Sequence, residues 1–272
     1  MRIKKLKHSV VNLHLKQSKN KYEVDTVFSG SRGSGKTYAC VAMCKHFEKM
    51  GYVKRTFLIC PTKTSNDVFK NLKTLDEKKD VCDDENKCKL ALSNIMKAVK
   101  KDWKRYEEDM EYLKVFKKIV GTGTPPTLKE SYILERRNHT EPIHPERPSH
   151  MLIVDDCQGT DMYTMARRDL MNHVSIKHRH IPLTICYLVQ SWMGLPRVIR
   201  LNATHFVIFR TGHLDQLKQI YHNFATYVTQ PEFLNVYHYA VDKPHGFLFI
   251  DTDPKEESMC FRSGFNKFID AK

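Results

Sequence analysis

Residues 28–38 read FSGSRGSGKTY, and within them Gly30, Ser31, Arg32, Gly33, Ser34, Gly35, Lys36 and Thr37 fit the pattern GxxxxGK[ST]. Glycines at this density leave the backbone bare, so successive N–H groups can curl around a phosphate without Cβ clashes. An apolar run at 24–29 enters the loop and the helical text TYACVAMCKHF leaves it. The helix N-terminus then adds its partial positive charge to the same anion site. Lys36 is placed to reach the β- and γ-phosphates, and Thr37 to offer a hydroxyl to Mg2+. The stretch predicts a binding site for a nucleoside triphosphate and its magnesium ion.

Such a site needs a carboxylate at the end of a buried strand. MLIVDDCQ, residues 151–158, supplies apolar residues followed by Asp155 and Asp156. The first carboxylate is placed to hold the metal through water, and the second to polarise the attacking water as general base. Asp156 has a shorter reach than the Glu that many ATPases carry there. A third polar group ends the apolar run at 183–189, in YLVQSW, where Gln190 can hold the attacking water or sense the γ-phosphate.

The elements that must carry these groups are legible as apolar, β-branched or aromatic runs at 24–29, 55–60, 151–154, 183–189 and 205–210. Several are nearly continuous, as strands buried on both faces of a parallel sheet should be. Helical stretches at 36–50, ending at Gly51, and at 162–177 alternate with them, which predicts an α/β fold with a mostly parallel central sheet flanked by helices. Residues 65–149 are too many for a simple crossover and read as a helical insertion. Within them Leu92, Met96, Val99, Trp103, Tyr106, Met110, Leu113, Phe116 and Val120 recur at three and four residues, a long amphipathic helix stopped by Gly121. It either packs its stripe on the core or forms an arm toward a neighbouring subunit or DNA. The expected organisation is a basic N-terminal arm at 1–22, a nucleotide-binding core at 23–212, and a C-terminal extension at 213–272 packed on the core or on a neighbour. In that extension YHYAVDKPHGFLFIDT reads as strand–turn–strand, with His245 as a turn residue rather than a catalyst.

The 272 residues are 41% hydrophobic and 28% charged, in the range of a globular chain rather than a disordered one. The formal net charge of +14 favours a polyanionic partner. Lys4, Lys5, Lys7, residues 16–21, residues 97–104 and Arg136 are the basic candidates, and aromatic residues do not interleave them as a single-strand stacking platform requires. No apolar run approaches the roughly 20 residues that span a bilayer, so no stable membrane insertion is expected. The basic N-terminus lacks the apolar core and cleavage site of a signal peptide and is expected to stay on the chain. Eight scattered cysteines without CxxC pairs read as reduced, buried thiols in an intracellular compartment, and Cys82 with Cys88 lacks a second pair for zinc.

From Lys177 the text KHRHIPLTICYLVQSWMGLPRVIRLNATHFVIF sets an Arg-His pair, a strand ending in Gln, LPRVIRLNAT and another strand in order. With GSRGSGKT and MLIVDDCQ, this order resembles the genome-packaging ATPases of large DNA viruses and virophages, the poxvirus-like branch of the FtsK–HerA superfamily, across roughly 24–210. The resemblance implies a RecA-like ASCE core that hydrolyses ATP with Mg2+ and works as a homo-oligomeric ring of five or six subunits. Such a ring drives double-stranded viral DNA into a preformed capsid, alongside capsid or portal vertex proteins, at the assembly site in the infected cell or in the virion. It also implies an arginine finger from the neighbouring subunit, with Arg179 and Arg200 at the basic motif positions and Arg197 as a third candidate, and Asn202 tying the following strand to the nucleotide pocket. Two other classes remain open: a translocase or helicase of the same superfamily not dedicated to packaging, and a nucleotide-dependent assembly protein.

Overall fold

The computed structural model describes residues 2–5, 24–62, 67–137, 145–163, 169–254 and 256–271. Two compact units divide the chain, Met1–Asn94 with Ser149–Lys272, and Ile95–Pro148. In chain order the first unit opens with β1 (Arg2–Lys5), β2 (Asp25–Ser29), α1 (Lys36–Lys49), β3 (Arg55–Ile59), β4 (Val81–Cys82) and the start of α2 (Cys88–Thr122). After α3 (Leu128–Arg137) in the second unit come β5 (His150–Asp155), α4 (Leu170–Lys177), β6 (Leu183–Val189), α5 (Arg197–Asn202) and β7 (His205–Phe209). The chain closes with α6 (Leu214–His222), α7 (Gln230–Ala240), β8 (Phe247–Asp251), β9 (Phe261–Ser263) and β10 (Lys267–Asp270).

All ten strands share one sheet in the order β1-β10-β9-β8-β7-β2-β6-β5-β3-β4. The run from β7 to β4 is parallel throughout. From β7 outward through β8, β9, β10 and β1 the pairs are antiparallel. This is the α/β fold expected of the sequence, with a parallel core and an antiparallel wing built by the C-terminal strands. Every residue of β2, β5, β6 and β7 is buried, which explains their continuous apolar text. On one face α1 packs Cys40, Cys44 and Phe47 into a cluster with Phe28, Ile153 and Cys186. On the other, Phe206 of β7 meets Trp192 at 5.6 Å and Phe224 at 5.0 Å between ring centroids. Each such aromatic removed from water contributes about 2–3 kcal/mol. All eight cysteines are free, and Cys82 alone is only half-buried.

Three boundaries differ from the sequence expectation, each for a local reason. The long helix runs through Gly121 to Thr122, and the chain turns at Gly123, whose φ is +63°. Gly121 stays in the helix, and the positive φ that turns the chain falls at Gly123 instead. Helix α4 starts at Leu170, where Asp169 caps it by accepting the Met171 N–H at 3.3 Å, and residues 164–168 of the expected helix lie outside the described residues. The tract YHYA before the His245 turn is helix, not strand. Thr229 and Glu232 form a reciprocal capping box, and Phe233, Val236, Tyr237 and Ala240 share one buried face.

The second unit is a helical hairpin in which Lys118 reaches Glu130 at 2.8 Å and Arg136 reaches Glu108 at 2.9 Å. Lys118 and the Thr127 cap together hold the Glu130 carboxyl down to about 2. The amphipathic stripe buries Val99 and Leu113 but leaves Met110 and Val120 exposed. Residues 7 and 16–21 of the expected basic arm lie outside the described residues.

The capped reading of α7 predicts a ranked pair of costs. Phe233→Ala should cost about 3–5 kcal/mol through the cavity it leaves, and Thr229→Ala about 1 kcal/mol through the lost cap. Urea unfolding of both variants checks this; equal midpoints would contradict a buried helix with an exposed cap.

Candidate functional site

Because β6 lies between β2 and β5, the C-terminal ends of these three parallel strands meet along one sheet edge. Strand β2 delivers the chain into the glycine loop, where the Gly30 N–H donates to Val189 O at 3.2 Å, so the loop is stitched to the tip of β6. Gly33 and Gly35 sit at φ +76° and +102°, which L side chains rarely adopt. Gly30 is demanded by close approach instead, since a Cβ there would lie 2.7 Å from Phe209 Cβ. Gly35 is the N-cap of α1, whose first turn has neither a capping side chain nor an acidic residue. Its N–H groups are therefore open to an anion. Ser31, Arg32 and Gly33 are exposed, while Ser34 and Thr37 are half-buried.

Lys36 is buried at the foot of the loop, and its Nζ donates to Gly30 O at 2.8 Å and Ser31 O at 2.9 Å. Burial pulls its pKa below the ordinary lysine value, against the opposing attraction of Asp155 and Asp156. Asp155 ends β5 as a buried carboxylate, with the Cys60 thiol 3.9 Å from its Oδ2. Burial and that carboxylate push the Cys60 thiol up to about 12, so it stays protonated.

Asp156 takes a left-handed backbone, φ +55°, which swings its side chain away from the strand direction. Its Oδ1 accepts the Gln190 side-chain N–H at 2.6 Å, and its Oδ2 accepts the Thr62 hydroxyl at 3.3 Å. Gln190 is itself fixed by Gln158. The Gln158 Oε1 accepts the backbone N–H of Gln190 at 2.9 Å and of Ser191 at 3.0 Å, and its Nε2 donates to Ser191 O at 2.7 Å. A Cβ on Gly194 would come within 2.0 Å of that nitrogen, so glycine leaves the room Gln158 occupies. The structure thus brings together the loop, Lys36, Thr37, Asp155, Asp156 and Gln190.

Sequence reasoning missed Thr62 and Gln158. Each follows an apolar strand run at the edge where Gln190 lies, so the rule that selects Gln190 would have selected Thr62.

The arginines stand elsewhere. Arg179 lies in the turn His178–His180 before β6. That is the N-terminal end of a strand whose C-terminal end carries Gln190, roughly 20 Å away at 3.3 Å per residue. The Arg179 side chain lies outside what the structure describes. Beside it, buried His178 turns Nδ1 to Ser175 O at 2.7 Å and to Asp25 Oδ2 at 3.3 Å. Arg200 folds back on its own chain, donating from Nε to Leu195 O at 3.1 Å with its guanidinium 5.7 Å from the Trp192 ring centre. Burial, with Arg197 nearby, lowers its pKa from the ordinary arginine value. Arg197 is exposed. Asn202 does not reach the nucleotide site: its side chain caps its own helix, donating to Val198 O at 2.8 Å. Of the basic candidates, Lys97, Lys100, Lys101 and Lys104 are exposed along α2.

No protein-family model and no curated protein matches the chain. Among solved structures, the genome packaging NTPase B204 from Sulfolobus turreted icosahedral virus 2, in complex with sulfate, superposes with a TM-score of 0.50 at 12% identity, covering 85% of this chain and 92% of that one. The same protein in complex with ATP-gammaS gives 0.47 at 13% identity over 85% and 93% of the two chains. EccC from Thermomonospora curvata (ATPases 2 and 3) gives 0.40 at 12% identity over 69% of this chain and 30% of that one. The first of these shows a shared fold: this chain has the α/β fold of a P-loop NTPase.

The electrostatics of Lys36 predict the outcome of Asp155→Asn. Removing the larger of the two opposing attractions leaves burial to dominate, so Lys36 should titrate at lower pH than in the wild type. NMR of the Lys36 Cε–Nζ group across alkaline pH reads this directly; an unchanged midpoint would mean that Asp155 does not face the ammonium.

Proposed function

We propose that the chain is an ATP-hydrolysing motor that moves double-stranded viral DNA into a preformed capsid. It would work as a homo-oligomeric ring whose arginine finger comes from the adjacent copy. One observation carries the reading: the loop, Lys36, Asp155, Asp156 and Gln190 converge on one sheet edge while Arg179 lies at the other end of β6. A candidate finger carried at the far end of β6 from its own copy's loop fits a ring with shared sites. The likeness in fold to a genome packaging NTPase and the formal net charge of +14 support the choice of DNA as the substrate moved.

Loop N–H groups and the α1 N-terminus hold the phosphates, and Lys36 exchanges the Gly30 and Ser31 carbonyls for phosphate oxygens. The half-buried Thr37 hydroxyl and buried Asp155 carboxylate are hard oxygen donors, which fits Mg2+ with its retained waters. That ion would neutralise charge on the phosphates. Asp156 accepts the proton of the attacking water, which takes the place Gln190 now fills, and Gln190 orients it. Arg179 of the neighbouring copy meets the charge that develops on the γ-phosphate, and Arg200 stays with its own chain. Sequence-independent movement needs only phosphate contacts, for which the exposed lysines along α2 are the proposed surface. The capsid or portal vertex would be its docking partner at the assembly site in the infected cell or in the virion. No helix among the described residues is long and apolar enough to cross a membrane.

Steady-state ATP hydrolysis across protein concentration, with and without long duplex DNA, tests the reading. The rate per subunit should rise with concentration and rise again with duplex, with the duplex effect lost as salt increases. Lys36→Ala should lower the rate by roughly a hundredfold or more with the fold intact. Arg179→Ala mixed with Asp156→Asn should recover part of the rate, because mixed interfaces rebuild one whole site. A rate indifferent to concentration and to DNA would mean a complete site in each copy, and would point to the assembly-protein reading.

A further inference from the structure

The C-terminal extension meets the phosphate loop at one point. His245 holds a left-handed backbone, φ +57°, and its Nδ1 lies 3.2 Å from Ser34 O. A Cβ on Gly35 would stand 3.3 Å from the same ring, so the imidazole rests against the loop residue that starts α1. The turn that carries it is braced on several sides. Arg210 donates to Val241 O at 2.7 Å and to Asp242 O at 3.1 Å, and Gly246 N–H closes on Lys243 O at 2.9 Å. Gly246 has no room for a side chain, since a Cβ would meet Ala240 O at 2.8 Å. A non-glycine residue held at positive φ by so many surrounding bonds marks a place where the fold maintains strain for use.

The order of the strands says what the use is. Measured from β2, the groups that address the γ-phosphate, Asp155, Asp156 and Gln190, all lie on the β6 and β5 side. A triphosphate lying in the loop with its γ end there must send its nucleoside toward β7 and β8 on the other side. The 241–246 turn stands at that side and at the same edge, because β8 is antiparallel to β7 and Phe247 pairs with Phe209. We propose that His245 is a nucleotide-binding residue that contacts the ribose and base of the bound nucleoside triphosphate. This rests on the nucleotide-site reading above. A neutral ring that donates from Nδ1–H to Ser34 O presents Nε2 as an acceptor for a ribose hydroxyl or exocyclic amine, and its face for stacking on the base. Among the described residues Nε2 has no other partner.

His245→Gly and His245→Asn test this, since both substitutes accept a positive φ and Asn can still donate to Ser34 O. Calorimetric titration of wild type and both variants with ADP and with inorganic tripolyphosphate separates the nucleoside from the phosphates. Both variants should bind ADP about tenfold more weakly or worse while binding tripolyphosphate as the wild type does, with unchanged thermal midpoints. Unchanged ADP affinity overturns the inference. So does an equal loss for both ligands, which would place His245 on the loop's conformation and not on the nucleoside. Lys36→Ala is the separate control: if it leaves tripolyphosphate binding intact, the nucleotide-site reading falls and this inference falls with it.

Discussion

The Lys36 ammonium, donating to the carbonyls of Gly30 and Ser31, is the interaction on which the loop's shape depends. An ammonium taken out of water loses several kcal/mol of hydration, which must be returned by charge or by hydrogen bonds. Here both returns are local. The carbonyls come from the loop's first residues, and the opposing charges from Asp155 and Asp156. Lys36 therefore pulls the loop closed onto its own side chain. Glycine at 33 and 35 makes that curvature possible, because the backbone there lies at φ values other residues resist. A phosphate that takes the place of the two carbonyls gains a partner already desolvated and already aimed.

Two adjacent carboxylates would repel each other if both pointed into one pocket. The backbone separates them. Asp155 continues the extended strand and is buried, whereas the left-handed turn at Asp156 redirects the next side chain to Thr62 and Gln190. The same turn answers the concern about reach. With one methylene fewer than Glu, Asp156 still contacts Gln190 at 2.6 Å, because Gln158 holds the backbone of Gln190 and Ser191 close to it. The position of the Asp156 carboxylate is thus a property of the β6 tip as much as of β5.

What the sequence discloses and what it hides divide along physical lines. The loop, the carboxylates and the strand ends were legible because each rests on short-range pattern: glycine spacing, continuous apolar text, a polar residue at its close. β8 was legible for the same reason, although the tract before it was not. In YHYA the aromatic residues suggest a strand, but the capping box upstream at Thr229 fixes a helix whose buried face includes Tyr237. Helix α3 escaped because its text is polar and its one signal is the Thr127–Glu130 cap. Arg200 and Asn202 sit at motif positions, yet side-chain direction decides their partners, and both turn to backbone carbonyls of their own chain. The contact of His245 with Ser34 joins residues 211 apart, a separation no local pattern reports.

The buried pair of Asp25 and His178 gives the sheet a second fixed end. Asp25 opens β2, whose other end becomes the phosphate loop, and its carboxylate holds His178 and the Ser175 hydroxyl in a site closed to water. His178 in turn begins the short turn that contains Arg179. One strand therefore anchors the loop at one end and the arginine turn at the other, with β6 in register beside it from Asp25 to Ser29. Close-packed parallel strands resist extension and shear, so the two ends keep a constant separation. Under the proposed ring, such a strut would let closure at one nucleotide move the arginine presented to the next copy as a rigid step. A loosely held arginine would absorb that step in its own rotamers. The His178 anchor thus fits coupling between subunits better than it fits a site that acts alone.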